Sequence, residues 1–236
     1  MIGLTELFAL QIGWHIGRNT VVVEGTSDVE FLDHASLLHK QIHGRAIFDS
    51  DFAIVAAGNS DDGGVDGINR RLNTVRQLAD SDRDVDGAIV HRFVGLYDND
   101  RAGREAIADA LKFDRRLKPY ADLFVLHPVM PLADARIPDL AAEINRVNHW
   151  YTGLDWEIED LCSDRILEGF EKANPGAVRG RRAAGGRIHR EFNRKAKPEL
   201  KRYFVNNAAL EDAEGMISLL KALRSYMGID HAFVQF

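Results

Sequence analysis

The sequence predicts an α/β fold: a mostly parallel sheet flanked by helices, with a helical elaboration on its C-terminal side. Three observations predict it. Short β-branched or aromatic runs alternate with stretches of helical period, the pattern of a parallel sheet covered on both faces. Two of these runs, Thr20 to Val23 and Phe93 to Tyr97, lead into acids, a glycine and a helix start. Beyond Pro128 the alternation stops, and a Pro-interrupted connection (Pro128, Pro131, Pro138) leads into helical and basic segments. The chain therefore divides into an N-terminal amphipathic helix (1–18), an α/β core (19–128) and a C-terminal elaboration (129–236) with a basic segment at 179–202.

Taken in order, the first strand is Thr20 to Val23, followed by Glu24, Gly25 and a helix over Asp28 to Gln41 with Val29, Phe31, Leu32, Ala35 and Leu38 on one face. Ser27 with Glu30 three residues on fits a capping box. Phe52 to Ala57 is the second strand. The loop Ser60 to Gly67 follows, where solvation accounts better than metal for Asp61, Asp62 and Asp66. Ile68 to Leu78 is a helix with Arg70, Arg71 and Arg76 outward. The third strand carries Asp98-Asn99-Asp100 at its end, a helix runs from Arg101 to about Leu111, and Ala121 to Leu126 is a fourth strand. Further on come a short helix at Leu140 to Val147, a helix over Asp155 to Phe170, a Gly- and Arg-rich loop to Arg187 and a basic stretch to Arg202. Phe192, Leu200, Tyr203 and Phe204 anchor that stretch. A last helix covers Glu211 to Tyr226, and 231–236 reads as a short edge strand.

Composition narrows the chemistry. The 236 residues carry a net charge of −6, so the surface as a whole does not advertise nucleic acid. The distribution does: from Arg179 to Arg202 there are ten Lys or Arg against two Glu. One cysteine, Cys162, excludes an internal disulfide and a Cys-based zinc site and suits a reducing compartment, so a cytoplasmic location is expected. The N-terminal stretch carries Glu6, Gln11 and His15 and lacks a basic start. It reads as a helix packing on the domain or on a second copy, neither signal peptide nor membrane span.

Two carboxylates two residues apart point the same way while the chain is extended, and a divalent cation bound through oxygen relieves their repulsion. Alone, Asp98-Asn99-Asp100 is better read as a turn whose Asp and Asn cap the next helix. Paired with Glu24-Gly25 after a separate strand, it is far more specific. The joint pattern, Glu24-Gly25 after VVV and Asp98-Asn99-Asp100 with Ala102-Gly103 after FVGLY, resembles the Toprim domain over about residues 19–127. Among Toprim proteins, no tyrosine-bearing topoisomerase domain fits this length, and one cysteine cannot build a primase zinc module. A phospho-aspartate hydrolase would place a hydroxyl residue after its D-x-D, where Arg101 stands. A phosphate-accepting signalling domain would end a late strand in lysine, where His127-Pro128 stands. The chain is most similar to the Toprim nuclease half of the overcoming-lysogenization-defect family and related phage-defence nucleases.

That resemblance implies a Rossmann-like sheet and a metal-dependent nuclease working with two Mg²⁺ or Mn²⁺ ions. Asp98 and Asp100 would hold one ion, and Glu24 and Asp28 would contribute to the second. A further acid, Glu157, Glu159 or Asp160, with Glu159 preferred, and a downstream lysine, Lys197 rather than Lys195, would complete the site. Lys197 directly precedes Pro198, which suits the first turn of a helix. The family also implies an ATPase; with no nucleotide-binding loop in this sequence, it would be a separate partner. Arg181, Arg182, Arg187, Arg190, Arg194, Lys195, Lys201 and Arg202 would engage nucleic-acid phosphates, DNA or RNA. Trp150, Tyr151 and Trp156 could stack on unpaired bases, but beside Leu154 and Ile158 core packing accounts better for them. The rival reading is a non-catalytic Toprim subunit that binds metal and nucleic acid to regulate a larger complex.

Overall fold

In a computed structural model the chain is an α/β protein, described over residues 2–58, 64–134 and 136–229. Asp61, Asp62 and the expected edge strand at 231–236 lie outside the described residues. The chain divides into two compact units: Met1–Val29, Phe48–Tyr97 and Ala102–Val125 make the first, and Glu30–Ile47, Asp98–Arg101 and Leu126–Phe236 the second.

The first unit is built on four parallel strands, β1 (Asn19–Gly25), β2 (Phe52–Gly58), β3 (Arg92–Tyr97) and β4 (Leu123–Val125), in the order β2-β1-β3-β4. Asn19 of β1 sits opposite both Phe52 and Arg92, and Val22 opposite Val55 and Gly95. Each strand is buried through its middle because valine, isoleucine and phenylalanine fill both faces, as in a sheet covered on two sides. Helices α1 (Leu4–Gln11), α3 (Gly64–Ala79) and α4 (Arg101–Phe113) belong with it. Val22, Val55, Ile68, Leu72, Phe93 and Ile107 share its core. A Cβ on Gly95 would meet Ile68 and Leu72 side chains at 3.2 Å, so the glycine in β3 is what lets α3 approach. The Tyr97 hydroxyl, buried at the end of β3, donates to Asn69 Oδ1 at 2.7 Å, and the Asn69 amide donates to Ala106 O at 2.9 Å, tying α3 to α4. β4 is shorter than expected. Ala121 and Asp122 are taken by the turn at Tyr120, where Asp122 accepts the Lys118 amide at 2.9 Å and pairs with Arg76 at 2.7 Å.

Helix α2 (Thr26–His43) starts in the first unit and continues into the second. It opens two residues earlier than the sequence suggested, placing Ser27 inside its first turn. Asp28 Oδ2 accepts the Gly25 amide at 2.9 Å, while Glu30 pairs with Lys201 at 2.7 Å instead of serving a capping box.

The second unit holds α5 (Leu140–Val147), α6 (Asp164–Ala173), the antiparallel strands β5 (Val178–Ala184) and β6 (Arg187–Phe192), α7 (Ala196–Asn207) and α8 (Glu214–Tyr226). Phe31 packs on Phe204 with ring centroids 5.3 Å apart, and Phe170 meets Phe192 and Tyr203 at 6.1 and 5.8 Å. Two expectations are corrected here. The stretch Asp155 to Phe170 is not one helix: Trp156 pairs as an isolated bridge with Asn99, Ile158–Leu161 is a single 3-10 turn, and Cys162 is extended. Ser163 then caps α6 through the Ile166 amide. Its apolar spacing reported burial and not a continuous helix, since Trp156, Ile158, Ile166, Leu167 and Phe170 are all in the core. The Arg-rich loop is instead the β5–β6 hairpin. Gly185 and Gly186, at φ 55° and 81°, supply the two left-handed residues that its tight turn demands.

Candidate active site

The second unit brings three of the expected features together. Asp98-Asn99-Asp100 leaves the carboxyl end of β3, and its middle residue is fixed. The Asn99 amide donates to Trp156 O at 2.8 Å and the Trp156 amide donates back to Asn99 O at 3.2 Å. That two-bond bridge sets the half-buried Asp98 and Asp100 beside the segment that continues into Glu157 and Glu159.

Lys197 stands in the first turn of α7, as the following proline suggested, and Leu200 and Phe204 anchor that helix in the core. Its Nζ lies 2.9 Å from Glu157 Oε2 and 3.5 Å from Glu159 Oε1. Burial works against the ammonium, but the charges of Glu159, Glu157 and Asp98 outweigh it and hold the Lys197 pKa well above the ordinary lysine range. Burial raises the Glu157 carboxyl, Glu159 and Asp160 add to that, and Lys197 opposes without cancelling it. Three carboxylates thus bear on one lysine, and the negative charge left over favours a cation.

Asp160 belongs to a different arrangement. Its carboxylate takes hydrogen bonds from the Glu157 amide at 2.9 Å, the Arg190 amide at 3.2 Å and His189 Nδ1 at 2.7 Å. Two of these bonds join the 3-10 turn to β6 and the third closes the turn itself, whereas the acids within ion-pair distance of Lys197 are Glu157 and Glu159. The sequence preferred Glu159 but could not separate Glu157 from Asp160, because the pairing of Asp160 depends on the hairpin register that puts His189 opposite Arg182. His127, just beyond β4, is close to the Asn99 side chain at 3.4 Å; burial pushes its pKa down to about 4, so it is neutral.

Glu24 and Asp28 lie in the first unit. Glu24 ends β1, and its charge adds to burial in pushing the Tyr97 hydroxyl pKa up, which places it by the end of β3. Asp28 spends one carboxylate oxygen on the Gly25 amide, a use that caps α2. Among the described residues no group of three His, Cys, Asp or Glu side chains is arranged to hold a metal ion. The donor chemistry at Asp98, Asp100, Glu157 and Glu159 is oxygen only, which fits Mg²⁺ or Mn²⁺ and not a soft metal.

The basic residues divide. Arg190 is 5% exposed and is held by Glu171 at 2.8 Å and Asp164 at 3.1 Å, so it braces the hairpin and does not fit a phosphate contact. Lys201 is taken by Glu30, Arg181 pairs with Glu171, and Arg182 reaches Asp155 at 3.1 Å. Arg187, Arg194, Lys195 and Arg202 are exposed. Trp156 is core, whereas Trp150 is exposed. Comparison of the chain with protein-family models, with curated proteins and with solved structures returned no match.

Proposed function

We propose that this chain is a metal-dependent nuclease that hydrolyses phosphodiester bonds of DNA or RNA. The observation that carries the proposal is the convergence on Lys197 of Glu157, Glu159 and the charge of Asp98 at the end of β3. Asp98 and Asp100 are the residues assigned to hold Mg²⁺ or Mn²⁺, with Glu159 of the same unit assigned beside them. Two such ions, when bound, supply a water of lowered pKa and a polarised phosphodiester. Lys197 stays protonated at neutral pH and is the donor aimed at charge building on the phosphorus oxygens. Glu157 fixes that ammonium by its ion pair, and the exposed Arg187, Arg194, Lys195 and Arg202 hold the backbone of the substrate.

The partner reading follows from the same assignment. A nuclease of this type working in phage defence would couple to a separate ATPase. The exposed Leu4, Leu7 and Leu10 of α1 offer one apolar face to it or to a second copy. No helix among the described residues is long and apolar enough to cross a membrane.

The test is a panel of supercoiled DNA, linear DNA, single strands and total tRNA, each with Mg²⁺ and with Mn²⁺, for the wild type and Asp98→Ala. Cleavage that needs the metal and disappears in Asp98→Ala supports the proposal. Binding without cleavage by either protein would favour the regulatory-subunit reading.

A further inference from the structure

We infer that Trp150, exposed beside the turn of the arginine-rich hairpin, is a stacking platform for an unpaired base, so that the nucleic acid is single-stranded where it meets this surface. The inference rests on the nucleic-acid reading above and narrows its substrate class.

The three tryptophans have different fates. Trp14 is 8% exposed with its Nε1 donating to Ala56 O at 2.8 Å, and Trp156 is 2% exposed, while Trp150 is 76% exposed. Leaving an indole in water forfeits the large burial gain that an aromatic ring offers, so exposed tryptophan is uncommon and is typical of contact surfaces.

Its support is rigid. Trp150 sits in the 3-10 turn His149–Tyr151, and that turn is pressed on the hairpin at Gly185. A Cβ there would meet Tyr151 Cε1 at 2.7 Å and Trp150 O at 3.0 Å, so backbone touches backbone and the tyrosine ring covers the glycine. The edge-on contact with His149, centroids 5.5 Å apart, restrains the indole further. The backbone that presents the indole is thus in place before a ligand arrives, which lowers the cost of ordering on binding.

The charge beside it is positive. Arg187 leaves the same turn, is exposed and makes no ion pair among the described residues. Arg182, on the other strand of the hairpin, is exposed though paired with Asp155. An exposed aromatic with a neighbouring cation for phosphate is the combination that single-strand binders use. A duplex keeps the faces of its interior bases stacked on one another and offers the indole only its two end pairs.

The test titrates wild type, Trp150→Ala and Trp150→Phe with oligo-dT, oligo-U and a blunt DNA duplex in chelator-containing buffer. Tryptophan fluorescence and polarisation of labelled strands are read together, and metal-dependent cleavage is assayed separately. Single strands should quench the wild type. Trp150→Ala should weaken single-strand affinity roughly fivefold to a hundredfold, with Trp150→Phe recovering most of it and duplex affinity unmoved. The stronger of the oligo-dT and oligo-U responses identifies DNA or RNA. Equal single-strand affinity in all three proteins overturns the inference, and retained cleavage would leave the nuclease reading standing. Loss of duplex and single-strand binding together without rescue by phenylalanine also overturns it, as would self-association that depends on Trp150 with no response to any oligonucleotide.

Discussion

Lys197 meets Glu157, Glu159 and the charge of Asp98 with a single ammonium, and its two possible roles separate in kinetics. Removing a cation that only grips phosphate from a flank weakens binding and flattens the salt dependence. Removing one that acts only as charge develops on phosphorus lowers turnover with binding nearly intact. Lys197→Ala is expected to bind substrate normally and to turn over roughly a hundredfold or more slowly, measured at saturating substrate. The lysine was legible because Pro198 and the anchors Leu200 and Phe204 fix a helix around it. The choice among Glu157, Glu159 and Asp160 was not, because it turns on what His189 and the Arg190 amide do across a hairpin. Asp212 is buried in the second unit. Burial would raise its pKa, but hydrogen bonds from Arg165, Ser163 and the Ala209 amide win and hold it at about 2. A depressed carboxylate contributes stability above its unfolded value and loses it as pH falls through the folded value. Acid unfolding followed by circular dichroism should therefore steepen between about pH 4 and pH 2. Asp212→Asn should be flatter in that window and less stable at neutral pH by roughly 1–3 kcal/mol.

The elements of the sheet were read correctly from β-branched runs because a strand buried on both faces must be apolar throughout, whatever its neighbours. Asp155 to Phe170 misled because three- and four-residue spacing also arises from a bridge, a 3-10 turn and a helix packed in series on one core. The hairpin was missed because arginines stand on both of its strands, hiding the period of two; the two glycines of its turn were the usable signal. The 3-10 turn carrying Glu159 is held from outside by Gly215 in the first turn of α8. A Cβ at that position would meet Leu161 O at 2.5 Å, and Leu161 is backbone that cannot rotate away. Gly215→Ala should push the turn and its acids off Lys197. The expected result is a loss of roughly 1–3 kcal/mol in urea unfolding together with lower nuclease turnover. Unchanged stability would mean that α8 shifts freely.

Acids stand at the end of β3 and at the 3-10 turn that carries Glu159, while exposed cations stand on the β5–β6 turn and around the start of α7, a pattern that the net −6 of the chain conceals. A protein that only gripped nucleic acid would have no need of carboxylates beside its cations, since each repels phosphate. A divalent ion removes the conflict by turning the acids into an attachment for the same phosphate. Metal affinity is thus a property to be measured apart from cleavage. Titration of Mn²⁺ by calorimetry should show binding to the wild type and a loss of at least tenfold in Asp98→Ala/Asp100→Ala. Equal affinity in the wild type and the double variant would remove the strand-end acids from metal binding. Lys197 with Glu157 and Glu159 would then be an ion-pair network of the fold, and the exposed arginines would have to account for nucleic-acid binding without chemistry.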